Sequence, residues 1–423
     1  MNIGQRRYMK KQSNTPQIRF HNYKELWEYD RLKNIFRTIR NAFVGTATPY
    51  YVEKGHFYLE SNNVKNGKIN YNSQIFINDE FYEKQRDKWL KTNDIVMVQS
   101  GHVGHTAVIP KELNNTAAHA LIVFTDYKKE VNPHFLNYQF QSSSKRKELD
   151  LISTGNTIKH ILASEMKSFK MDFPTIEEQS AIGSLFCTLD DLLASYKYNL
   201  ANYQSLKTTM LSKMFPKAGQ TVPEIRLDGF EGEWEVQTLK EIASFSKGNG
   251  YTKNDLVNSG EEIILYGRLY TNYQTVISKV NTFVTTVKAN AVISKGGEVI
   301  VPASGESAED ISRASVVDKS GVILGGDLNI IYPDENKVDS IFLALTISNG
   351  SQQKELIKRA QGKSIVHLRN NDLEKVVLHY PSLKEQQAIG AYFSNLDNLI
   401  NSYQDKISQL ETLKNKLLQD MFI

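Results

Sequence analysis

Apolar residues recur at alternating spacings of three and four in one stretch of each half of the chain. This spacing predicts α-helices. A helix of about 35 to 40 residues, with a rise of 1.5 Å per residue, is roughly 50 to 60 Å long, too long to lie under one small domain. The two stripes favour an antiparallel coiled coil within the chain, although each helix could instead pack on its own globular domain. The stripes comprise Phe186, Leu189, Leu193, Tyr196, Leu200, Tyr203, Met210 and Met214, and Phe393, Leu396, Ile400, Tyr403, Ile407, Leu410, Leu417 and Met421.

The two stretches are copies of each other. Residues 173–215 begin FPTIEEQSAIGSLF, residues 380–422 begin YPSLKEQQAIGAYF, and 17 of the 43 aligned positions are identical at an offset of 207. The same offset relates Trp27 to Trp234 and His160 to His367. The duplication therefore spans nearly the whole chain and predicts internal pseudo-twofold symmetry.

Strand-like and helix-like runs alternate between these anchors. LIVFT, AVISK and LNIIY are typical of buried strands, whereas PHFLNYQFQ and SIFLALTIS are typical of helices. We therefore predict an α+β fold with two globular domains of mixed α/β content, separated by two long helices. The predicted segments are a first globular domain at 1–172, a central helix at 173–216, a second globular domain at 217–379 and a C-terminal helix at 380–423.

Composition narrows the class of protein. The chain has 423 residues, a net charge of +4 and a single cysteine, Cys187, which excludes an internal disulfide. No apolar run is long enough to predict a membrane helix, and we expect a soluble protein of the reducing cytoplasm. Residues 1–216 hold 29 Lys and Arg against 21 Asp and Glu, and the remaining residues hold 22 against 26. The basic first half favours a polyanionic partner.

Short motifs that resemble parts of enzyme sites are all incomplete. NPHF from Asn132 has His134 where the adenine-binding loop of amino-methyltransferases has a second proline, and it is better read as a helix start. GKS at 362–364 lacks the glycine that a phosphate loop needs at position 357. His102 and His105 have no acid or cysteine nearby in the sequence to complete a metal site. We therefore predict no catalytic site and no metal site, and a binding function.

The repeat itself indicates a ligand. Two similar but non-identical domains on a pseudo-dyad suit a partner with two different patches at a fixed spacing, and duplex DNA is such a partner. A shared frame with divergent interiors would let each domain read different base edges.

The paired motifs FPTIEEQSAIGSLFCTLDDLL and YPSLKEQQAIGAYFSNLDNLI, each copy closing in Met-Phe, together with VPEIRLDGFEGEWE from Val222, resemble the specificity subunits of Type I restriction-modification systems. The resemblance covers almost the entire chain. The first opening, TPQIRFHNYKELWE, departs from the pattern because it lacks the Gly-Phe-Glu-Gly found at 229–232.

The resemblance implies a non-catalytic subunit that reads a bipartite DNA sequence, one half-site per recognition domain. It also implies two modification subunits that methylate adenine N6 with S-adenosylmethionine, and two restriction subunits that use ATP and Mg. No cofactor is expected in this chain. The alternative from another class is a non-enzymatic coiled-coil adaptor or structural protein that does not bind DNA.

Candidate contacts follow from residue type. Base edges are read by Arg, Lys, Asn, Gln and Ser on loops, and phosphates are bound by Lys and Arg. In the first domain the DNA-binding candidates are Asn62, Asn63, Lys65, Lys68, Gln99, Ser100, His102, Lys145, Arg146 and Lys147. In the second they are Lys247, Asn249, Tyr251, Arg268, Tyr270, Asn272, Ser304, Arg313, Lys358, Arg359 and Lys363. Outward faces of the long helices are expected to dock the modification subunits through Glu178, Gln179, Glu385 and Gln386.

Overall fold

Short strands and short helices precede the long helix of the first repeat. The structure is a computed structural model that describes residues 15–155, 159–362 and 365–423. The strands are β1 Glu28–Arg31, β2 Phe36–Asn41, β3 Tyr51–Val52, β4 His56–Leu59, β5 Val64–Lys65, β6 Lys68–Ile69, β7 Ile75–Ile77, β8 Ile95–Val98, β9 Thr106–Val108, β10 Ala117–Ala118, β11 Leu121–Tyr127 and β12 Lys170–Phe173. The helices are α1 Leu32–Ile35, α2 Asp79–Glu83, α3 Pro133–Gln141, α4 Ser143–Ile152, α5 Ala163–Met166 and α6 Ile176–Lys213, with 3₁₀ turns at Thr48–Tyr50, Ser61–Asn63, Arg86–Lys88 and Lys111–Leu113.

The second repeat has the same plan. Its strands are β13 Glu235–Thr238, β14 Ala243–Lys247, β15 Leu256–Val257, β16 Glu261–Ile264, β17 Val276–Ile277, β18 Phe283–Val284, β19 Val292–Ile293, β20 Glu298–Pro302, β21 Ser304–Gly305, β22 Ser315–Val317, β23 Ile323–Leu324, β24 Leu328–Pro333, β25 Val366–His367 and β26 Val377–Tyr380. Its helices are α7 Leu239–Ile242, α8 Arg268–Thr271, α9 Ala308–Ile311, α10 Ser340–Ser348, α11 Gly350–Arg359, α12 Asn370–Leu373 and α13 Leu383–Asp420, with a 3₁₀ turn at Lys253–Asp255.

The chain forms two compact units, and each takes one end of each long helix. The first contains the described residues up to Tyr196 together with Lys406–Ile423, and the second contains Lys197–Asp405. Because α6 and α13 lie within 173–216 and 380–423, the helices occur where they were predicted. The four segment boundaries themselves remain predictions.

Two sheets and two ribbons build the first unit. One sheet has the strand order β2-β11-β8-β9 and the other β10-β4-β7-β3, while β1 pairs with β12 and β5 with β6. Helix α3 begins where the Asn132 side chain accepts a hydrogen bond from the Phe135 amide, with Pro133 in the first turn. Its apolar side chains then pack on the first sheet, so that NPHF is a helix start, as predicted.

The second unit has a wider pair of sheets. Their strand orders are β14-β24-β20-β22-β17 and β15-β18-β16-β23-β19, while β13 pairs with β26 and β21 with β25. Helix α10 repeats the start of α3, because Asp339 caps the Phe342 amide at the positions equivalent to Asn132 and Phe135. The duplicated frame therefore extends to the helix caps.

The long helices pair antiparallel within each unit. In the first, Lys414 Nζ of α13 lies 2.6 Å from an Asp190 carboxylate oxygen of α6. In the second, Lys207 of α6 pairs with Asp397 of α13, and the rings of Tyr203 and Tyr403 are 5.3 Å apart. The predicted antiparallel coiled coil and the α+β fold are confirmed.

Each long helix ends in the unit that it did not begin in. In the first unit Phe422 packs on Phe135 and Phe186, with ring centroids 5.6 and 5.8 Å apart. In the second unit Phe215 packs on Phe342 and Phe393 at 5.8 and 6.2 Å. Every phenylalanine in the first cluster has its counterpart 207 residues later in the sequence, or 207 residues earlier in the case of Phe215, so the closing Met-Phe of each repeat is a core element.

Candidate nucleic-acid interface

The same set of backbone hydrogen bonds recurs beside one sheet of each unit. In the first unit Ser100, just after β8, pairs with His160, and the amides and carbonyls of Thr154 and His160 exchange hydrogen bonds of 2.8 and 2.9 Å. In the second unit Ser304 pairs with His367, which exchanges bonds of 2.8 and 3.1 Å with Gln361. The pairing of Thr154 with His160 and that of Gln361 with His367 therefore support the same loop in both units.

Positive backbone angles shape the first unit's loop between β8 and β9. Gly101 and Gly104 both have φ of +80°, a conformation that glycine adopts without a steric penalty. The Gly104 amide donates to Val98, and the Val98 amide donates to the carbonyl of His105, at 3.0 and 2.8 Å. This tight closure places the two histidines of the loop beside each other, with ring centroids 6.3 Å apart.

His105 is the point at which several segments meet. The Asn66 amide, at the tip of the β5–β6 ribbon, donates to His105 Nδ1 at 3.2 Å. Arg146 Nη2, from α4, donates to the same nitrogen at 3.3 Å. Burial, followed by the charges of Arg146, His102 and Lys65, lowers the pKa of His105 to about 4. The loop, the ribbon and α4 thus form a cationic cluster around a neutral imidazole.

The structure brings most of the first domain's candidates to these segments. Asn62, Lys65, Lys68, His102 and Lys147 are exposed, whereas Gln99, Ser100 and Arg146 are half-buried. His105 and Asn66 were not among the candidates, although SGHVGH and SNNVKNGK contain both. The sequence signal was a second histidine in a glycine-flanked loop, but its partners lie 39 and 41 positions away.

Two candidates of the first domain are buried and make their polar contacts within the protein, so that their burial argues against the DNA contacts that remain predicted for them. Asn63 is 3 % exposed, and its amide group donates to the carbonyls of Asn70 and Ser73 at 2.9 and 2.7 Å. Lys145 is 4 % exposed and pairs with Asp172 at 2.8 Å. Buried polar groups with satisfied partners cannot reach a groove without breaking those bonds.

The second domain's candidates are more dispersed. Tyr251 and Ser304 are 6 % and 5 % exposed, and this burial argues against the DNA contacts that remain predicted for them. The Tyr251 hydroxyl donates to the Thr286 carbonyl at 3.1 Å, and Ser304 lies within the β21–β25 ribbon. Lys363 lies outside the described residues. Of the rest, Lys247, Asn249, Asn272 and Lys358 are exposed, and Arg268, Tyr270, Arg313 and Arg359 are half-buried.

Acidic groups occupy the second unit's counterpart of the SGHVGH loop. After Ser304 the chain reads GESAEDISRA and forms α9 before β22. Glu306 and Glu309 are exposed, and Asp310 accepts a bond of 2.7 Å from Ser307. Burial raises the pKa of Tyr270, with smaller contributions from Tyr266, Glu306 and Asp310. The first unit's loop therefore lies beside the cationic side chains of Lys65 and Arg146, whereas its counterpart in the second unit carries acidic side chains of its own.

Comparisons with known proteins decide the family. A profile described as "Type I restriction modification DNA specificity domain" matches twice, at residues 24–202 and 231–412. The chain belongs to this family.

Relatives and solved structures agree with this assignment. A protein of Methanocaldococcus jannaschii ascribed to type I restriction enzyme MjaX as its specificity subunit is 22 % identical over 412 residues, covering 93 % of this chain and 92 % of its own. The EcoBI specificity subunit of Escherichia coli is 24 % identical over 210 residues, covering 48 % and 44 %. The crystal structure of the S subunit from M. genitalium superposes with a TM-score of 0.63 at 16 % identity, covering 97 % of this chain and 99 % of that one.

In this specificity-family chain, the four predicted docking residues point inward. Glu178 and Glu385 are 0 % and 1 % exposed, and each accepts two hydrogen bonds of 2.6 to 2.7 Å from one guanidinium, that of Arg19 or Arg226. The expectation that these glutamates lie on outward faces is therefore wrong. Their arginines were visible in the sequence as a matched pair at the repeat offset.

The neighbouring glutamines are equally internal. Gln179 is 4 % exposed, accepts from the Asn132 amide at 3.2 Å and donates to the Pro174 carbonyl at 2.9 Å. Gln386 is 0 % exposed and accepts from the Asp339 amide at 2.9 Å. Both tie the start of a long helix to its own specificity domain, so predicting them as outward-facing is wrong as well.

Metal-binding clusters and membrane-spanning helices are both absent from the part of the chain that the structure describes. Over that part, no group of three or more His, Cys, Asp or Glu is placed to hold a metal ion. No helix of residues 15–155, 159–362 and 365–423 has the length and apolar content needed to cross a membrane.

Proposed function

We propose that this chain reads a bipartite DNA target for a Type I restriction-modification complex, with one half-site recognised by each specificity domain. The observation that carries the proposal is the pair of DNA specificity domains in one chain, each covering one copy of the repeat. Divergent loops on a common frame account for two dissimilar half-sites.

The two recognition surfaces supply different chemistry. In the first domain Lys65 and Arg146 lie close to the loop after β8, which itself carries His102, a setting that favours phosphate oxygens and the acceptor edge of guanine. In the second, the exposed Glu306 and Glu309 favour amino groups, such as N4 of cytosine. We infer that the two half-sites differ in base composition.

The chain supplies specificity while its partners supply chemistry. Modification subunits would bring adenine N6 methylation with S-adenosylmethionine, and restriction subunits would bring ATP- and Mg-dependent cleavage. Two modification subunits fit the pseudo-twofold repeat, because like partners need like surfaces. If the chain were an adaptor that does not bind DNA, its two specificity domains would have no role.

Single-molecule sequencing of genomic methylation tests this function. The chain is expressed with its cognate modification subunit, and the control host has the modification subunit alone. We expect a new bipartite N6-methyladenine motif with two dissimilar half-sites and a fixed gap. No new motif, despite a soluble complex of the two proteins, would overturn the proposal.

A matched pair of substitutions tests which domain reads which half-site. Asn62 and Asn249 are exposed asparagines, one in each domain. We expect Asn62→Ala to alter only the first half-site and Asn249→Ala only the second. A change in both half-sites from either substitution would contradict one half-site per domain.

A further inference from the structure

The tautomer of His105 follows from its hydrogen bonds. Nδ1 accepts from the Asn66 amide at 3.2 Å and from Arg146 Nη2 at 3.3 Å. A nitrogen that accepts hydrogen bonds carries no proton, so the single proton of the neutral ring resides on Nε2. The lowered pKa, about 4, keeps the ring neutral at physiological pH.

Nε2–H is consequently a donor in a fixed orientation. Among the residues that the structure describes, none is recorded as a hydrogen-bond partner of this nitrogen. The groups whose charges act on the ring are Lys65, His102 and Arg146, and of these Lys65 and Arg146 can only donate hydrogen bonds. This N–H group can therefore donate to an electron-rich atom of another molecule.

We propose that His105 donates a hydrogen bond through Nε2 to an acceptor atom of the first half-site, and that Asn66 and Arg146 position its ring. The inference rests on the proposed function and extends it to a residue. The acceptor is N7 or O6 of a purine, or else a phosphate oxygen, since each of these atoms presents a lone pair to a fixed N–H donor.

The contact belongs to one half-site alone. In the second unit the loop after Ser304 carries glutamates and the helix α9 where the first unit has SGHVGH. Reading of the second half-site thus reports, in the same molecule, whether a variant complex is folded and assembled.

Two substitutions separate the ring's acceptor from its donor. The carboxamide oxygen of His105→Asn reaches the position of Nδ1 and can still accept from Asn66 and Arg146, but no donor remains at Nε2. The carboxamide of His105→Gln reaches the position of Nε2 and keeps a donor there. The modification complex of each variant is assayed on duplexes that carry every single-base change in the first half-site.

If Nε2 contacts a base, we expect His105→Asn to lose discrimination at one position of the first half-site by about 10- to 100-fold, with His105→Gln closer to wild type. If it contacts a phosphate, His105→Asn weakens binding to all sequences by about 5-fold and the motif is unchanged. Because the ring is neutral, the salt dependence of binding stays as in wild type in both cases.

If His105→Asn methylated DNA at the wild-type rate and with the wild-type motif, the inference would be overturned. Equal losses in His105→Asn and His105→Gln would also overturn it, because they would indicate a role in holding the loop. Failure of the proposed function is distinct, since the wild-type complex would then produce no motif.

Discussion

The two units share the contacts made at the start of each long helix. They differ in the side chains of the loop that follows β8 and of its counterpart in the second unit. The bidentate pair of Arg19 with Glu178 is repeated by Arg226 with Glu385, at distances that agree within 0.1 Å. The loop after β8 carries histidines, whereas its counterpart carries glutamates. The two copies have thus kept the residues that hold a long helix to its domain and have diverged in the side chains of this loop.

The shared contacts are buried and the divergent side chains are exposed. Glu178 and Glu385 are at most 1 % exposed, whereas His102, Glu306 and Glu309 are exposed. A change in a buried pair costs stability in every context, but a change in an exposed loop costs little unless a ligand binds there. The repeat therefore separates residues that maintain the fold from residues available for specificity.

The largest effect is expected from the closing phenylalanines. Phe422 is 5 % exposed in the first unit's core and Phe215 is 5 % exposed in the second's. Phe422→Ala should lower the stability of the first unit by about 3–5 kcal/mol, because it removes transfer energy and leaves a cavity. Amide hydrogen exchange measures each unit separately.

The matched control is Phe215→Ala, which should weaken the second unit by a similar amount. Equal loss of protection in both units from either substitution would contradict the assignment of each phenylalanine to one core.

A somewhat smaller effect is expected at the buried ion pairs. Glu178→Gln leaves the guanidinium of Arg19 with an uncompensated charge, which should destabilise the first unit by about 3 kcal/mol. Glu385→Gln should do the same in the second unit. Hydrogen exchange again provides the measurement, and modification-subunit binding to whatever protein remains folded should persist.

Loss of modification-subunit binding without loss of protection would restore the docking role that burial argues against. Exposed Glu177 on the same helix provides the control, since Glu177→Gln should change neither property.

The sequence predicts features that depend on neighbouring residues better than features that depend on residues far apart in the chain. The apolar stripes are local in sequence, so α6 and α13 could be predicted closely. Glu178 resembles a surface residue by type, and its partner Arg19 lies 159 positions away. Asn63 is a related case, because its side-chain amide donates its hydrogen bonds within the turn that it closes.

His105 illustrates the same limit at the candidate interface. Its role depends on Asn66 and Arg146, which lie in two segments that come together only in the folded protein. The sequence identified the loop and the ribbon as polar and basic, but not which nitrogen would accept and which would donate. Residue type indicates the class of contact, and tertiary hydrogen bonds determine the individual residue.

The coiled-coil ion pairs offer a finer comparison. Asp190 accepts from Lys414 at 2.6 Å and from the Tyr138 hydroxyl at 2.8 Å, with its side chain 6 % exposed. Asp397, paired with Lys207, is 27 % exposed. Asp190→Asn should cost about 2 kcal/mol and Asp397→Asn under about 1 kcal/mol, because solvent screens the second pair.

Hydrogen exchange along the two helices measures both costs. Equal costs at the two positions would mean that burial does not distinguish them. The two aspartates would then belong with the contacts that the units share rather than with those in which they differ.

The smallest expected effect is at the exposed lysine of the β5–β6 ribbon. Lys65 stands close enough to His105 to influence its titration and is itself exposed. If it contacts a phosphate, Lys65→Ala should weaken DNA binding by the complex for all sequences alike, leave the methylation motif intact and reduce the salt slope by about one.

Lys375, exposed between α12 and β26, provides a control with the same loss of charge. An unchanged salt slope in Lys65→Ala would remove the ribbon from the interface, and an equal change in Lys375→Ala would mean that only net charge matters. A motif that changed instead would make Lys65 a base contact. The contrast with His105 is then direct, because a charged contact alters the salt slope while a neutral donor alters affinity or motif at constant slope.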